Sequence, residues 1–471
     1  MMNKLLTKSR RFNRRLLFSL GSLGILIYYL IVLTFNHYLA IGLYNGILWR
    51  MGLPAMFGIY LAFRGLSDGA EMRILIYFWF WMLFVYFING DRTLSEYADY
   101  YIDMTGIILM FAPGILLGKS LRARFFEGCA WLITLVYFIL GVICIYCAVK
   151  QTSFLNPIDQ YGIGYNVYSS IGRITVFSAH PNITAGHFFI SLVMSLWLIL
   201  HKKNSFLRLF LGLNAILSFI TIALTVSRNG QTVAGISIGL FFGILILEKL
   251  NKKPISIRLA VLVLCVALIS SAAYKMNEPV RYAFWMAHDI SSETADFSDV
   301  SSPSNAASPA PLSSVHLIST QEEFRSDYRG YFDSGRKEIF WSAFKSLQLE
   351  PKRLLIGSSG SNVMRISNQL IKEQAAHFHN VFLQVINEFG LAGLLLVTWF
   401  FALMIHHSMS MLLSANGHFS PDEKFLAVPV LCFLFYYQLE CGIFTNLDYR
   451  AVFFFLACGV LTGCYKEKQL L

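Results

Sequence analysis

The stretch Ala375–Leu396, "AAHFHNVFLQVINEFGLAGLLL", sets two imidazoles, His377 and His379, directly ahead of Asn380, Gln384, Asn387 and Glu388. On a helix beginning near Asn380, those four fall at i, i+4, i+7 and i+8, along one stripe. Hydrocarbon cannot satisfy such groups. The stripe therefore faces either neighbouring protein, as a polar seam between helices, or a hydrated cavity. A neutral imidazole, with an unperturbed pKa of about 6.5, is a competent base near neutral pH. Two of them beside an Asn and a Glu favour a cavity site, with His379 or His377 as the base.

Arginines supply the second kind of chemistry. In "TVSRNGQTVAG", Arg228 occupies a short turn between two apolar runs. A guanidinium at that depth is costly unless an anion or a cavity receives it, or unless it snorkels to the surface. Arg336 opens "RKEIFWSAFKSLQLEP", where the alternative is an ordinary solvated charge. Arg173 lies in "GRITVFSAHPNITAG", and His180 and Asn182 there precede one apolar segment as His379 and Asn380 precede another. These are the candidate substrate-binding residues.

Absences narrow the chemistry. No Asp-x-Asp pair is present to hold a metal-bound nucleotide sugar, and "IGSSGSN" lacks the Gly-Lys-Ser/Thr of a phosphate-binding loop. No His-Glu-x-x-His occurs. The close pairs His377/His379 and His406/His407 lack the usual spacing of metal ligands, so no metal is expected. A base and several arginines suit transfer from a diphosphate. Such a leaving group needs no general acid if fixed guanidinium groups stabilise its growing charge. The base takes the proton of the attacking hydroxyl.

The elements that must position these residues are membrane helices. The chain has 471 residues, 56% hydrophobic and only 14% charged, where soluble domains carry about a quarter charged. Runs of about 18 or more apolar residues read as spans, and twelve can be marked. They lie near 16–35, 42–64, 73–89, 100–118, 127–148, 183–200, 205–226, 232–248, 257–275, 380–405, 424–440 and 447–465. The start, with its basic residues 1–15, reads as an uncleaved first helix.

The expected architecture is an all-α polytopic membrane protein. Spans 1–9 fill 16–275, with an outer loop at 149–182; spans 10–12 fill 380–465, and 466–471 follow as a tail. Lys and Arg alternate between the two sets of short connections, twenty-one against five. The richer side is the cytoplasmic one, so both termini face the cytoplasm. The net charge of +11 is then a topology signal and calls for no nucleic-acid partner.

The large outer loop, 276–379, contains a Ser/Pro-rich insertion at 291–320 with no Lys or Arg. Such a segment buries too little apolar surface to offset its ordering entropy. After it, Phe340, Ala343, Phe344 and Leu347 fall at helical spacing with Pro351 as a stop. They read as an amphipathic helix near 335–349 on the outer membrane face. Cys144 and Cys147 read as helix-packing residues. The sequon Asn182-Ile-Thr184 matters only in a eukaryotic secretory compartment.

"SRNG", "GRKEIFW…P…LIGSSG" and "HFHNVFLQVINEFGLAGL" together resemble the O-antigen ligase/polymerase superfamily, over roughly 165–400 of this chain. The His-Asn-x-x-Leu-x-x-x-x-Glu-x-Gly-x-x-Gly portion is the most specific part. The resemblance implies a GT-C-type integral-membrane glycosyltransferase acting on the periplasmic side of a bacterial inner membrane. It implies an inverting reaction with no cofactor, metal or ATP. The glycan passes from undecaprenyl diphosphate to a sugar hydroxyl of lipid A–core. It also implies His379 as the base, with His377 as a second candidate, and Arg228 and Arg336 as the holders of the diphosphate. A polymerase and a protein-directed oligosaccharyltransferase share the donor and differ in the acceptor. A transporter of lipid-linked glycan is the reading from another class, but its polar groups would gather near the bilayer midplane.

Overall fold

The computed structural model describes residues 69–89, 94–150, 152–155, 162–168, 171–176, 181–250, 252–293, 336–358, 363–371, 377–414, 418–438, 440 and 449–469. Of 94–103, 153–172, 285–293, Arg336 and Tyr449 it gives the backbone alone. The basic start, the apolar segments expected at 16–35 and 42–64, His180, and the insertion after Glu293 lie outside the described residues.

Apolar runs form most of the described chain as helices: α1 (Ala70–Asn89), α2 (Leu94–Leu116), α3 (Lys119–Lys150), α4 (Pro181–His201), α5 (Ser205–Leu224), α6 (Arg228–Lys249) and α7 (Ile255–Glu293). Three short helices follow, α8 (Arg336–Leu349), α9 (Pro351–Ile356) and α10 (Arg365–Ile371). Then come α11 (Val381–Leu412), α12 (Pro421–Phe425), α13 (Ala427–Tyr436) and α14 (Tyr449–Gln469). Seven of the described helices, α1, α3 to α7 and α11, are long and apolar enough to cross a membrane. Side chains define several starts. Asn204 accepts from the amides of Phe206 and Leu207 to cap α5, and Ser420 and Glu423 close a capping box on α12.

Four features depart from the sequence reading. The segment 149–182 holds a three-stranded antiparallel sheet, β1 (Ser153–Leu155), β2 (Gly162–Tyr168) and β3 (Ile171–Val176), paired in that order. The described chain is therefore not purely helical. The Val176 amide donates to Thr184 Oγ1 at 3.0 Å, fastening the sheet to the first turn of α4. The helix expected to end at 275 continues past Pro279 to Glu293. The segment expected at 424–440 is two helices, α12 and α13.

Helix α8 packs on the protein through a narrow face of small residues and leaves large apolar side chains outward, as a helix lying on a membrane face would. Ile339, Ser342, Ala343 and Ser346 are buried, while Trp341 and Phe344 are more than half exposed. The Ser342 hydroxyl donates back to the Ile339 carbonyl, and the Ser346 hydroxyl shares its one proton between the Ala343 carbonyl and Asn387 Oδ1. That bonding lets small polar residues serve as the packing face. Pro351 ends α8 and also occupies the first turn of α9, where its missing N–H costs nothing.

The fourth departure lies in α11. Gly390 has φ 67° and ψ −168°, so α11 is two helices joined at a break. Gly357, at the end of α9, also has a positive φ of 83°. A side chain on Gly390 would strike the backbone of Leu355, and one on Gly357 that of Glu388. Only glycines permit this crossing. The carbonyls freed by the break are satisfied: Trp81 Nε1 donates to Phe389 O at 2.7 Å, and the Ser358 amide to Asn387 O at 3.0 Å.

One end of the bundle is closed by ion pairs. Glu71 lies between His407 (2.8 Å) and the Lys466 ammonium. Arg122 meets Glu467, Lys202 meets Glu127, and Lys424 Nζ lies 2.6 Å from Glu248. His201 lies 3.0 Å from Asp422. Arg258 donates to the carbonyls of Leu413 and Ser414, both at 2.7 Å. The opposite end holds the histidine pair.

Candidate active site

Three helices begin at that opposite end: α4 at Pro181, α6 at Arg228 and α11 at Val381. Asn380 caps α11, its Oδ1 accepting from Phe382 and Leu383, while its Nδ2 donates to Gln438 O at 2.9 Å. Ser227 caps α6 by accepting from the Gly230 amide. Its hydroxyl donates to Asn182 Oδ1 at 2.7 Å, which ties the start of α6 to the start of α4.

Asn182 in turn donates from Nδ2 to Glu440 Oε1. Glu440 is a carboxylate only 4% exposed. The donor atoms of Glu440, His377 and His379 all lie within 4.8 Å of one another. A continuous path thus runs from the two imidazoles through Glu440 and Asn182 to Ser227, whose neighbour is Arg228.

Tyr436 braces this rim. Its hydroxyl donates to Asn182 O at 2.8 Å and accepts from Arg450 Nη1 at 3.0 Å. Its carbonyl accepts from Asn229 Nδ2 at 3.0 Å. The next carbonyl, Tyr437 O, accepts from the Val381 amide at 3.0 Å. The end of α13 therefore holds the starts of α4, α6 and α11 together.

Backbone conformation marks the same rim. Among the described residues, Val226 (φ 58°) and His379 (φ 51°) are the non-glycine residues with positive φ. Each precedes a helix start of the site by one or two residues. A β-branched residue in the left-handed region is strained by about 1–3 kcal/mol, and such strain persists only where the surroundings enforce it. At His379 the turn folds the pair together: the His379 amide donates to His377 Nδ1 at 3.3 Å, and the ring centroids are 4.1 Å apart.

In the fold, the two-residue spacing that the sequence reading sets aside for metal ligation brings the donor atoms within 4.8 Å of each other and of Glu440. In an extended strand, residues i and i+2 share a face with their rings well separated. The left-handed φ brings these two over one another and over Glu440.

The remaining expected residues separate into groups. Arg228 is the first residue of α6, partly exposed at the rim. Arg336 starts α8, one turn before Ile339. Ile339, Ala343, Val363, Met364 and Phe378 form one small buried cluster. Since Phe378 stands between the two histidines, the start of α8 is held near them. Arg173 lies on β3 opposite Asn166 and is buried.

The stripe after Asn380 meets protein. Glu388, 2% exposed, accepts from Tyr86 OH at 3.0 Å and Gln384 Nε2 at 3.1 Å. Asn387 Oδ1 accepts from Ser346 Oγ at 2.7 Å. Gln384, Asn387 and Glu388 thus fasten the upper half of α11 to α1 and α8. Glu388 is an anchoring group, two turns beyond the imidazoles.

Glu440, Tyr436, Ser227 and Asn229 are the residues that sequence reasoning missed. Glu440 carried a signal: it is the one acid in "LCFLFYYQLECGIF", and an ionisable residue at a span's end is a functional candidate by default. Arg450, which donates to the Tyr436 hydroxyl, is buried. Against protein-family models and against curated proteins, the chain matches none.

Proposed function

We propose that the chain is a glycosyltransferase that uses a diphosphate-linked lipid donor, and specifically an O-antigen ligase. It would move a glycan from undecaprenyl diphosphate to a sugar hydroxyl of lipid A–core. The observation that carries this reading is the path joining the paired imidazoles, the buried Glu440 carboxylate and the Asn182–Ser227 link to the Arg228 start of α6. The family resemblance of "SRNG" and "HFHNVFLQVINEFGLAGL" points the same way. The bias of Lys and Arg between connections assigns this rim to the periplasmic side of the inner membrane and both termini to the cytoplasm.

In the proposed reaction the acceptor hydroxyl attacks the anomeric carbon as its bond to the phosphate oxygen breaks. The bonding pair leaves with the diphosphate, and the configuration inverts. His379 takes the hydroxyl proton, and Glu440 stabilises the imidazolium that results. Arg228 and Arg336 receive the diphosphate charge. A lipid-borne donor reaches a site at the mouth of the helices without leaving the bilayer.

The test is transfer in vitro from a defined undecaprenyl diphosphate glycan, with lipid A–core and a second donor molecule offered in parallel as acceptors. Product on lipid A–core supports the ligase. Product only on the second donor makes the chain a polymerase. No product on either acceptor, with the donor bound unchanged, sinks the transferase reading in favour of transport.

A further inference from the structure

We infer that His377, His379 and Glu440 form a binding site for one divalent transition-metal ion, with Zn2+ the best fit. Two neutral imidazoles and a carboxylate are the donor set that binds Zn2+ while leaving a fourth position for water. Donors about 2.1 Å from a tetrahedral ion lie about 3.4 Å from one another, and these three are already within 4.8 Å. Closure by roughly 1 Å is within the reach of side-chain torsions, because both histidines are only partly buried.

Three features prepare the site. The positive φ of His379 places the two rings on the same side of the backbone. Glu440 is nearly inaccessible to water, so its charge interacts through a low-dielectric surrounding and attracts a cation strongly. Its carboxylate is oriented by Asn182, which Ser227 orients in turn. Outer partners of this kind fix ligating carboxylates and typically contribute about 10- to 100-fold to metal affinity.

The inference goes beyond glycan transfer and does not depend on it. Joined to the proposed function, it has one consequence. An ion on His379 occupies the lone pair that would accept the acceptor proton, so the metal-loaded protein is inactive and a chelator restores it. The site would be an inhibitory one.

The experiment uses the full chain in lipid nanodiscs, purified without a polyhistidine tag and stripped with chelator. Zn2+ is titrated by calorimetry, and Co2+ is used as a spectroscopic probe. The expected result is one saturable Zn2+ per chain, and Co2+ visible bands of four-coordinate intensity. His377→Ala should remove both, Glu440→Gln should weaken binding at least tenfold, and Asn182→Ala should weaken it about tenfold. Because Glu440→Gln alters a buried group on which Asn182 depends, the variant at partly exposed His377, His377→Ala, decides the matter. Zn2+ binding by the wild-type chain that equals the binding of His377→Ala overturns the inference. Transfer is read separately with and without Zn2+. Binding that leaves transfer untouched keeps the metal site and removes His379 as the base.

Discussion

At the end of the bundle holding Glu71 and Lys466, charge meets charge. At the end holding His379, one buried carboxylate is met by an amide and two imidazoles, and the other links are hydrogen bonds of neutral groups among Asn182, Ser227, Tyr436 and Asn380, with Arg450 donating to a hydroxyl and not to an acid. The first arrangement stabilises and does little else, because its cations are spent on neighbouring acids or, for Arg258, on backbone carbonyls. The second leaves its titratable groups concentrated beside three helix starts, where a substrate can still change their protonation. Closure mainly through amides and hydroxyls at one end and through ion pairs at the other separates holding from reacting.

The comparison can be broken from either side. The largest expected effect is His379→Ala, which should lower transfer by about 100- to 10,000-fold with the membrane level of the protein unchanged. Transfer close to wild type would mean that the histidine rim is not the reacting end. Gly390→Ala should cost about 2–3 kcal/mol, since it adds strain at a glycine-only φ/ψ and a collision with the Leu355 backbone. A thermal-unfolding shift measures this, and an unchanged midpoint would show that α9 and α11 do not cross as described.

Arg228→Lys should reduce transfer by about 10- to 100-fold, because an ammonium cannot copy a paired guanidinium contact to phosphate. Equal transfer by the two proteins removes Arg228 from the diphosphate site. Glu71→Gln, at the ion-paired end, should lower stability by about 2 kcal/mol and leave transfer per folded molecule intact. A loss of turnover in that variant would erase the distinction between the ends. The smallest effect is that of Lys119→Ala. Its pair with Glu423 spans 3.5 Å with Lys119 61% exposed, and such pairs contribute about 0.5 kcal/mol or less.

What was legible in the sequence follows from which forces act locally. Long apolar runs mark α3, α4 and α5 to within several residues, because a span is fixed by its own composition. The histidines, Asn380 and Arg228 were visible as polar groups where lipid would reject them. Glu440 was not visible as their partner: its link to Asn182 joins residues 258 positions apart, and no local period encodes that. The stripe Gln384–Asn387–Glu388 was read toward a cavity because its true partners, Tyr86 and Ser346, lie on distant helices. The sheet at 153–176 was missed because its short, Gly- and Tyr-containing strands carry no alternation strong enough to stand out.

The interruption at Gly390 divides α11 into two stretches under unlike constraints. Above it, Asn380, Gln384, Asn387 and Glu388 each answer to a named partner, so almost any exchange there disturbs the aim of the histidines. Below it, Leu391, Leu395 and Trp399 are exposed apolar side chains, which hydrocarbon would accept in many combinations. Variation along this helix should therefore be scarce before the glycine and, after it, concentrated at those outward positions, with the buried side of the helix and His407 held as tightly as before.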